Sequence, residues 1–235
     1  MNEFCLYCRQ PIRYPFFWRT LVFPQQDIWL CDACRGKLKR ISGPVCKICC
    51  RPLAKLDPAF IREGICQDCA RWEEDAAWSG VLEKNTSLYE YNDFCKDVLA
   101  QFKFRGDYIL SSIFADDIQK VLEHSDAELI VPIPLSPERL SERLFNQSEA
   151  LAEAAGLQTV PLLKRTHSEK QSKKTRDERI HQEQVFQIEE HQPIQGVSVL
   201  LIDDIYTTGS TLRHAAKVLK TAGAAKVTSL TIARS

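Results

Sequence analysis

The sequence predicts an α/β protein: a parallel sheet covered by helices, with a small metal-held module in front of it. Three observations carry that reading. After Trp72, strand-like and helix-like runs alternate, as they do where crossover helices link parallel strands. "AELIVPIP" and "GVSVLLIDD" are near-continuous apolar runs, the pattern of strands buried on both faces. Before residue 70, eight of the ten cysteines form four Cys-x-x-Cys pairs, a metal-site spacing.

Residues 1–72 form the first domain. They are rich in turn segments such as "RQPIRYPF" and "CRPLAKLDP" and poor in aliphatics, so metal must hold them together. The pairs are Cys5/Cys8, Cys31/Cys34, Cys46/Cys49 and Cys66/Cys69. Two pairs complete a four-thiolate shell around one zinc ion, so four pairs give two structural zinc sites, a double zinc ribbon. Chain order groups Cys5, Cys8, Cys31 and Cys34, then Cys46, Cys49, Cys66 and Cys69. An interleaved grouping, first pair with third and second with fourth, uses the same residues. Disulfides would need an oxidising compartment, and "MNEFCLYCRQ", with its acid and early cysteines, does not read as a secretory signal. Cys50 is a bystander beside a ligand, and Cys95 reads as a small core residue.

The module holds 12 basic residues to 6 acidic ones. Two four-thiolate zinc centres each carry about two negative charges, which cancels most of that excess. Over all 235 residues, 31 bases balance 31 acids, so an anionic partner must be met by a local patch. No apolar run approaches the ~18 residues of a membrane helix. The expected location is cytoplasmic, with peripheral contact at the inner face of the membrane left open.

Residues 73–235 form the second domain. "AWSGVLEKNTSLYEYND" reads as two short strands around "KNTS". "DFCKDVLAQFKFRGD" reads as a helix capped by Asn92 or Asp93, with Val98, Leu99 and Phe102 at helical spacing. "YILSSIFADDIQKVLEH" is a second amphipathic helix, "AELIVPIP" a strand stopped by prolines, and "SPERLSERLFNQSEALAEAAG" one long helix ending at Gly156. "LQTVPLLKR" is strand-like, and 164–184 is charged with little apolar content. "GVSVLLIDD" is a buried strand, "GSTLRHAAKVLKTAGA" a helix with Leu212, Ala215, Ala216 and Leu219 on one face, and "KVTSLTIARS" the last strand.

"VLLIDDIYTTGST" carries the chemistry. In an open parallel sheet, ligands sit beyond the carboxyl ends of the strands, where this run places Asp203 and Asp204. The next residues open a helix, whose free N–H groups and dipole attract an anion. Gly209 lets backbone approach closely, and Thr207, Thr208, Ser210 and Thr211 add hydroxyl donors. Acceptors for hydroxyls followed at once by donors for phosphate suit a sugar phosphate. The plainer alternative, that one acid merely caps a helix, accounts for one acid and one hydroxyl of the set.

This segment resembles the phosphoribosyl pyrophosphate (PRPP) motif of type I phosphoribosyltransferases. With "QFKFRGDY" and "VPIPLSPERLSERLFNQSEALA", the chain resembles the ComF (ComFC) competence-protein family, in which a zinc-ribbon region precedes a phosphoribosyltransferase domain. Leu144 stands where the family usually has glycine, and "RDERIHQEQVF" lacks the usual asparagine. The resemblance implies a type I phosphoribosyltransferase fold. It implies that Asp203 and Asp204 take the ribose hydroxyls of PRPP, that Thr207, Thr208, Gly209, Ser210 and Thr211 hold its 5′-phosphate, and that "VPIPLS" forms the pyrophosphate loop. Mg²⁺ would bridge pyrophosphate and ribose oxygens, a hard cation on hard ligands. Lys103, Arg139 and Arg143 are candidates to back up these contacts; a solvated helix face is the alternative for the two arginines, which lie one turn apart, and a charge cluster at a helix C-terminus is the alternative for Lys103 and its neighbour Arg105. "KRTHSEKQSKKTRDER" holds seven bases and three acids. It reads as an exposed loop, as a hood over the ligand using Gln171, Arg176 and Arg179, or as a strip for nucleic-acid phosphates using Lys164, Lys170, Lys173 and Lys174. Phe16, Phe17, Trp18 and Arg19 form a competing DNA-binding candidate.

Two functions of different class follow. One is a PRPP-binding protein of natural transformation, acting on incoming single-stranded DNA alongside other competence proteins. The other is a phosphoribosyltransferase acting on a nitrogenous acceptor. No catalytic residue and no base-reading set stands out, and a base-dependent release of pyrophosphate separates the two.

Overall fold

The computed structural model describes residues 3–14, 28–104, 106–165, 185–189 and 193–235. Arg105, Gln171, Arg176, Arg179, Lys170, Lys173, Lys174 and residues 16–19 lie outside them.

The Cys-x-x-Cys pairs build two copies of one motif. At Cys5 the N–H donates to Gln10 O and Arg9 N returns to Cys5 O; at Cys46 the N–H donates to Arg51 O and Cys50 N returns to Cys46 O. The residue after each knuckle is left-handed, Arg9 at φ 60 and Cys50 at φ 61. Cys50 therefore occupies a turn position of the repeat. Its thiol sits 3.7 Å from Ser87 O. The second pair of each copy opens a helix, α1 (Asp32–Arg35) or α2 (Gln67–Glu74), with Cys31 or Cys66 at the N-cap. A two-residue hairpin ladder, β1 (Ile61–Arg62) with β2 (Ile65–Cys66), precedes α2.

The main sheet contains β3 (Lys84–Glu90), β4 (Leu129–Pro132), β7 (Ser198–Tyr206) and β8 (Lys226–Arg234). Their order is β3-β8-β7-β4 and every pairing is parallel. All four carboxyl ends thus open on one edge. β3 corrects the expectation of two strands around "KNTS": those residues lie inside one strand. They are polar because Asn85, Ser87, Ser229 and Thr231 bond one another under the second cysteine cluster. A polar run that reads as a turn is a buried ladder whose donors and acceptors are paired.

Two-residue alternation divides the core. Leu200, Ile202, Leu230 and Ile232 face α3 (Asp93–Phe104), α6 (Gln147–Ala154) and the first cysteine cluster. Val199, Leu201 and Val227 face α7 (Ser210–Thr221) and the second cluster. Asn92 caps α3 by accepting from Cys95 N at 2.8 Å, and Cys95 itself is buried in the core as expected. "YILSSIFADDIQKVLEH" is a 3-10 turn, Tyr108–Phe114, running into α4 (Ala115–Leu122).

The expected long helix is two. α5 (Pro137–Arg143) ends at Leu144, which is left-handed at φ 69, and α6 restarts after Asn146. Asn146 accepts from Ser148 N at 2.9 Å and donates to Ile133 O at 3.1 Å. It therefore both caps the new helix and ties it to the loop after β4. Only the last residues of "LQTVPLLKR" are strand: β5 (Leu163–Arg165) pairs antiparallel with β6 (Phe186–Ile188), a three-residue strand just beyond the charged 164–184 run.

Candidate functional site

The site forms where β7 leaves the sheet. Asp203 and Asp204 sit before Tyr206, the last residue of that strand, and alternation sends them to opposite faces. Asp204 lies on the α3 side, where Lys103 from the last turn of α3 forms an ion pair with it. Asp203 accepts from Asp204 N at 2.8 Å. Burial first, and then the Asp204 charge, push its carboxyl up to about 7, against the pull of Lys103 and Arg165.

Cations converge on these acids. Burial draws the Arg143 guanidinium below its usual range, opposed by the attraction of Asp204. Its Nη1 donates to Gln147 Oε1 at 2.8 Å, and its plane lies over Phe104 at 5.5 Å. The more exposed Arg139 acts on Arg143 and on Arg165. Sequence alone singles out Lys164 and misses Arg165. In a strand one residue turns out and the next turns in: Lys164 is exposed, whereas Arg165 is half-buried, lies over Phe186 at 5.4 Å and acts on Asp203. Arg165 shares the face of buried Leu163, which two leucines followed by two bases do not reveal until the start of the strand is known. Lys103, Arg143 and Arg165 thus act on the two acids, with Arg139 beside the two arginines, a balance that favours an anion bearing hydroxyl groups.

Beyond Tyr206 the chain turns into α7. Thr207 and Thr208 are exposed, while Ser210 and Thr211 are half-buried in the first turn. Gly209 stands at the N-cap with φ 80. A Cβ there would come within 2.1 Å of the Tyr206 hydroxyl, so both the dihedral and the space demand glycine. The "VPIPLS" loop runs alongside, with Ile133 N donating to Ile202 O at 3.0 Å. Hydroxyl acceptors, a helix start and a second loop therefore meet at one edge, the combination a sugar-phosphate site requires.

The two cysteine clusters follow chain order: Cys5, Cys8, Cys31, Cys34 and Cys46, Cys49, Cys66, Cys69. This settles the grouping against the interleaved alternative. Within each, all sulfurs lie within 4.8 Å of one another, with Cys8 and Cys31 at 3.7 Å and Cys49 and Cys66 at 3.6 Å. Tetrahedral bonds of roughly 2.3 Å place sulfurs about 3.8 Å apart, so both clusters fit zinc. The second is buried throughout and the first is half-open at Cys8 and Cys31.

A phosphoribosyl transferase domain model matches residues 136–235. The competence protein ComFC of Bacillus subtilis is 39% identical over 235 residues, covering 98% of this chain and 95% of the relative. The ComFC of Streptococcus pneumoniae is 34% identical over 231 residues, covering 98% and 99%. A hypoxanthine phosphoribosyltransferase structure from Staphylococcus aureus overlaps with a TM-score of 0.31 at 17% identity, covering 55% of this chain and 63% of that one. Identity at this level along the full length, with a phosphoribosyltransferase domain behind two four-cysteine clusters, decides the family: the chain belongs to the ComFC competence proteins.

Proposed function

We propose that the protein binds PRPP, with Mg²⁺, at the carboxyl edge of its sheet and serves DNA uptake in natural transformation. The observation that supports this most is that Asp203 and Asp204, next in the chain to the Thr207–Thr211 loop, are met by Lys103, Arg143 and Arg165. The acids accept hydroxyls, the loop receives a phosphate, and the cations meet a second anionic group beside "VPIPLS". Zinc in the two clusters is structural in this reading. Thiolate clusters of this kind persist in a reducing compartment, which supports a cytoplasmic location. Among the described residues no helix is long and apolar enough to cross a membrane.

A transferase is the second reading. It draws support from the phosphoribosyl transferase domain match over residues 136–235. Incubation of PRPP and Mg²⁺ with each common base decides between them. Binding without pyrophosphate release supports the binding protein; release that depends on one base supports the enzyme.

Single-stranded DNA completes the proposal, and Lys164, exposed on β5, is its described candidate. Charge reversal of Lys173 and Lys174 in the full chain should weaken DNA binding and flatten its salt dependence, by roughly 0.7 in log–log slope for each phosphate no longer neutralised. Unchanged binding would move the DNA site to residues 16–19.

A further inference from the structure

The underside of the phosphate loop rests on the second cysteine cluster. Arg234 ends β8 and is buried. Its Nη1 donates to Tyr206 O at 3.2 Å and Thr207 O at 3.0 Å, and its Nη2 lies 3.6 Å from Cys49 Sγ. The guanidinium also lies over the Tyr206 ring at 4.9 Å, the ring on which Gly209 sits. A second tie comes from α2, which begins beside Cys66 and carries Cys69. Trp72 Nε1 donates to Thr208 O at 3.3 Å, and Glu73 accepts from Arg213 Nη1 at 2.9 Å. Arg213 belongs to α7, is fully buried, and lies over Trp72 at 5.1 Å.

Three consecutive carbonyls, of Tyr206, Thr207 and Thr208, are therefore pinned by side chains anchored at one cysteine cluster. A trans peptide holds its N–H antiparallel to its C=O, and no peptide described is cis. Pinning these carbonyls turns the N–H groups of Thr207, Thr208 and Gly209 away from the guanidinium and indole, the aim an anion loop requires.

We propose that the second cysteine cluster is a positioning centre for the phosphate loop, acting through Arg234, so that metal held there and ligand held on the loop strengthen one another. The proposal rests on reading the loop as a PRPP site. A thiolate shell keeps Cys49 Sγ negative and fixed, so the guanidinium has one place to sit. Bound phosphate in turn holds the carbonyls that hold Arg234. Coupling of this kind is reciprocal, which makes it measurable at the metal.

The test is equilibrium competition for zinc by a chromophoric chelator, with the full-length protein, in the presence and absence of saturating ribose 5-phosphate. PRPP affinity is measured in parallel by calorimetry. In the wild type the ligand should raise the affinity of one of the two zinc ions by roughly fivefold or more, within the usual range of coupling, and leave the other unchanged. Arg234→Lys keeps the charge but loses the planar fork; it should still hold two zinc ions, lose the ligand effect on zinc, and bind PRPP about tenfold more weakly. Trp72→Phe, which keeps the ring and removes the N–H, should move both readouts the same way by a smaller factor, and decides the matter if Arg234→Lys does not fold. If the wild type binds both ligands and its zinc affinity ignores ribose 5-phosphate, the coupling is refuted and the PRPP reading stands; if it binds PRPP alone, the zinc competition is read with PRPP in its place. If the wild type binds neither PRPP nor ribose 5-phosphate, both fall.

Discussion

The proposed role of Asp203 comes at a cost in stability. Its carboxyl is raised to about 7 by burial and by Asp204, whereas in an unfolded chain it titrates near ~3.9. The folded state therefore prefers the protonated form. The cost of burying its charge is absent below about pH 4, grows between about 4 and 7, and is complete above that. Asp203→Asn should then raise the melting temperature at pH 8 and leave it nearly unchanged at pH 4, while weakening PRPP binding. A gain in stability that does not shrink as pH falls would mean that the charge is not the cause. The acids themselves are legible as residues; their separation onto the two faces of the sheet, with Lys103 on one and Arg165 on the other, requires the register.

At the scale of elements, a break decides the site more than any regular piece does. Periodicity in "SPERLSERLFNQSEALAEAAG" is continuous, so local pattern predicts one helix. The chain departs from it because Asn146 offers a cap and a tether to Ile133 O, and these outweigh one left-handed leucine. Leu144 is 81% exposed, so its side chain gains little from burial and retains the backbone penalty of about 1 kcal/mol for a left-handed non-glycine residue. Leu144→Gly should stabilise the protein by up to about 1 kcal/mol in chemical denaturation, with PRPP affinity preserved or improved. Destabilisation would show that the leucine makes contacts worth more than the strain. "KNTS" misleads for a related reason: polar residues mark turns only when water, rather than a buried neighbour, satisfies them.

At the scale of the molecule, the composition break at Trp72 suggests a ribbon module beside a separate sheet domain, and we retain 1–72 and 73–235 as the proposed division. The core runs across it. Cys46, Cys49, Cys66 and Cys69 pack in one cluster with Leu201, Tyr206, Leu212 and Val227, neighbours from distant parts of the chain that no local pattern reveals. Purified protein should contain two zinc ions. Cys5→Ser and Cys66→Ser should each lose one, and Cys66→Ser should lower the melting temperature of the whole protein further, because its cluster is buried between sheet and loop. Equal, small effects would return the ribbons to the status of appendages.

PRPP binding at the carboxyl edge of the sheet is tested most directly by calorimetric titration of PRPP with Mg²⁺ into the wild type, Asp203→Ala and Asp204→Ala, each checked for a folded circular dichroism spectrum. Saturable binding by the wild type is expected. Each variant should bind at least about tenfold more weakly, as expected for the loss of a charge-assisted hydrogen bond worth about 1.5–3 kcal/mol. Affinity unchanged in both folded variants, or a wild type that does not bind, would contradict PRPP binding at that edge.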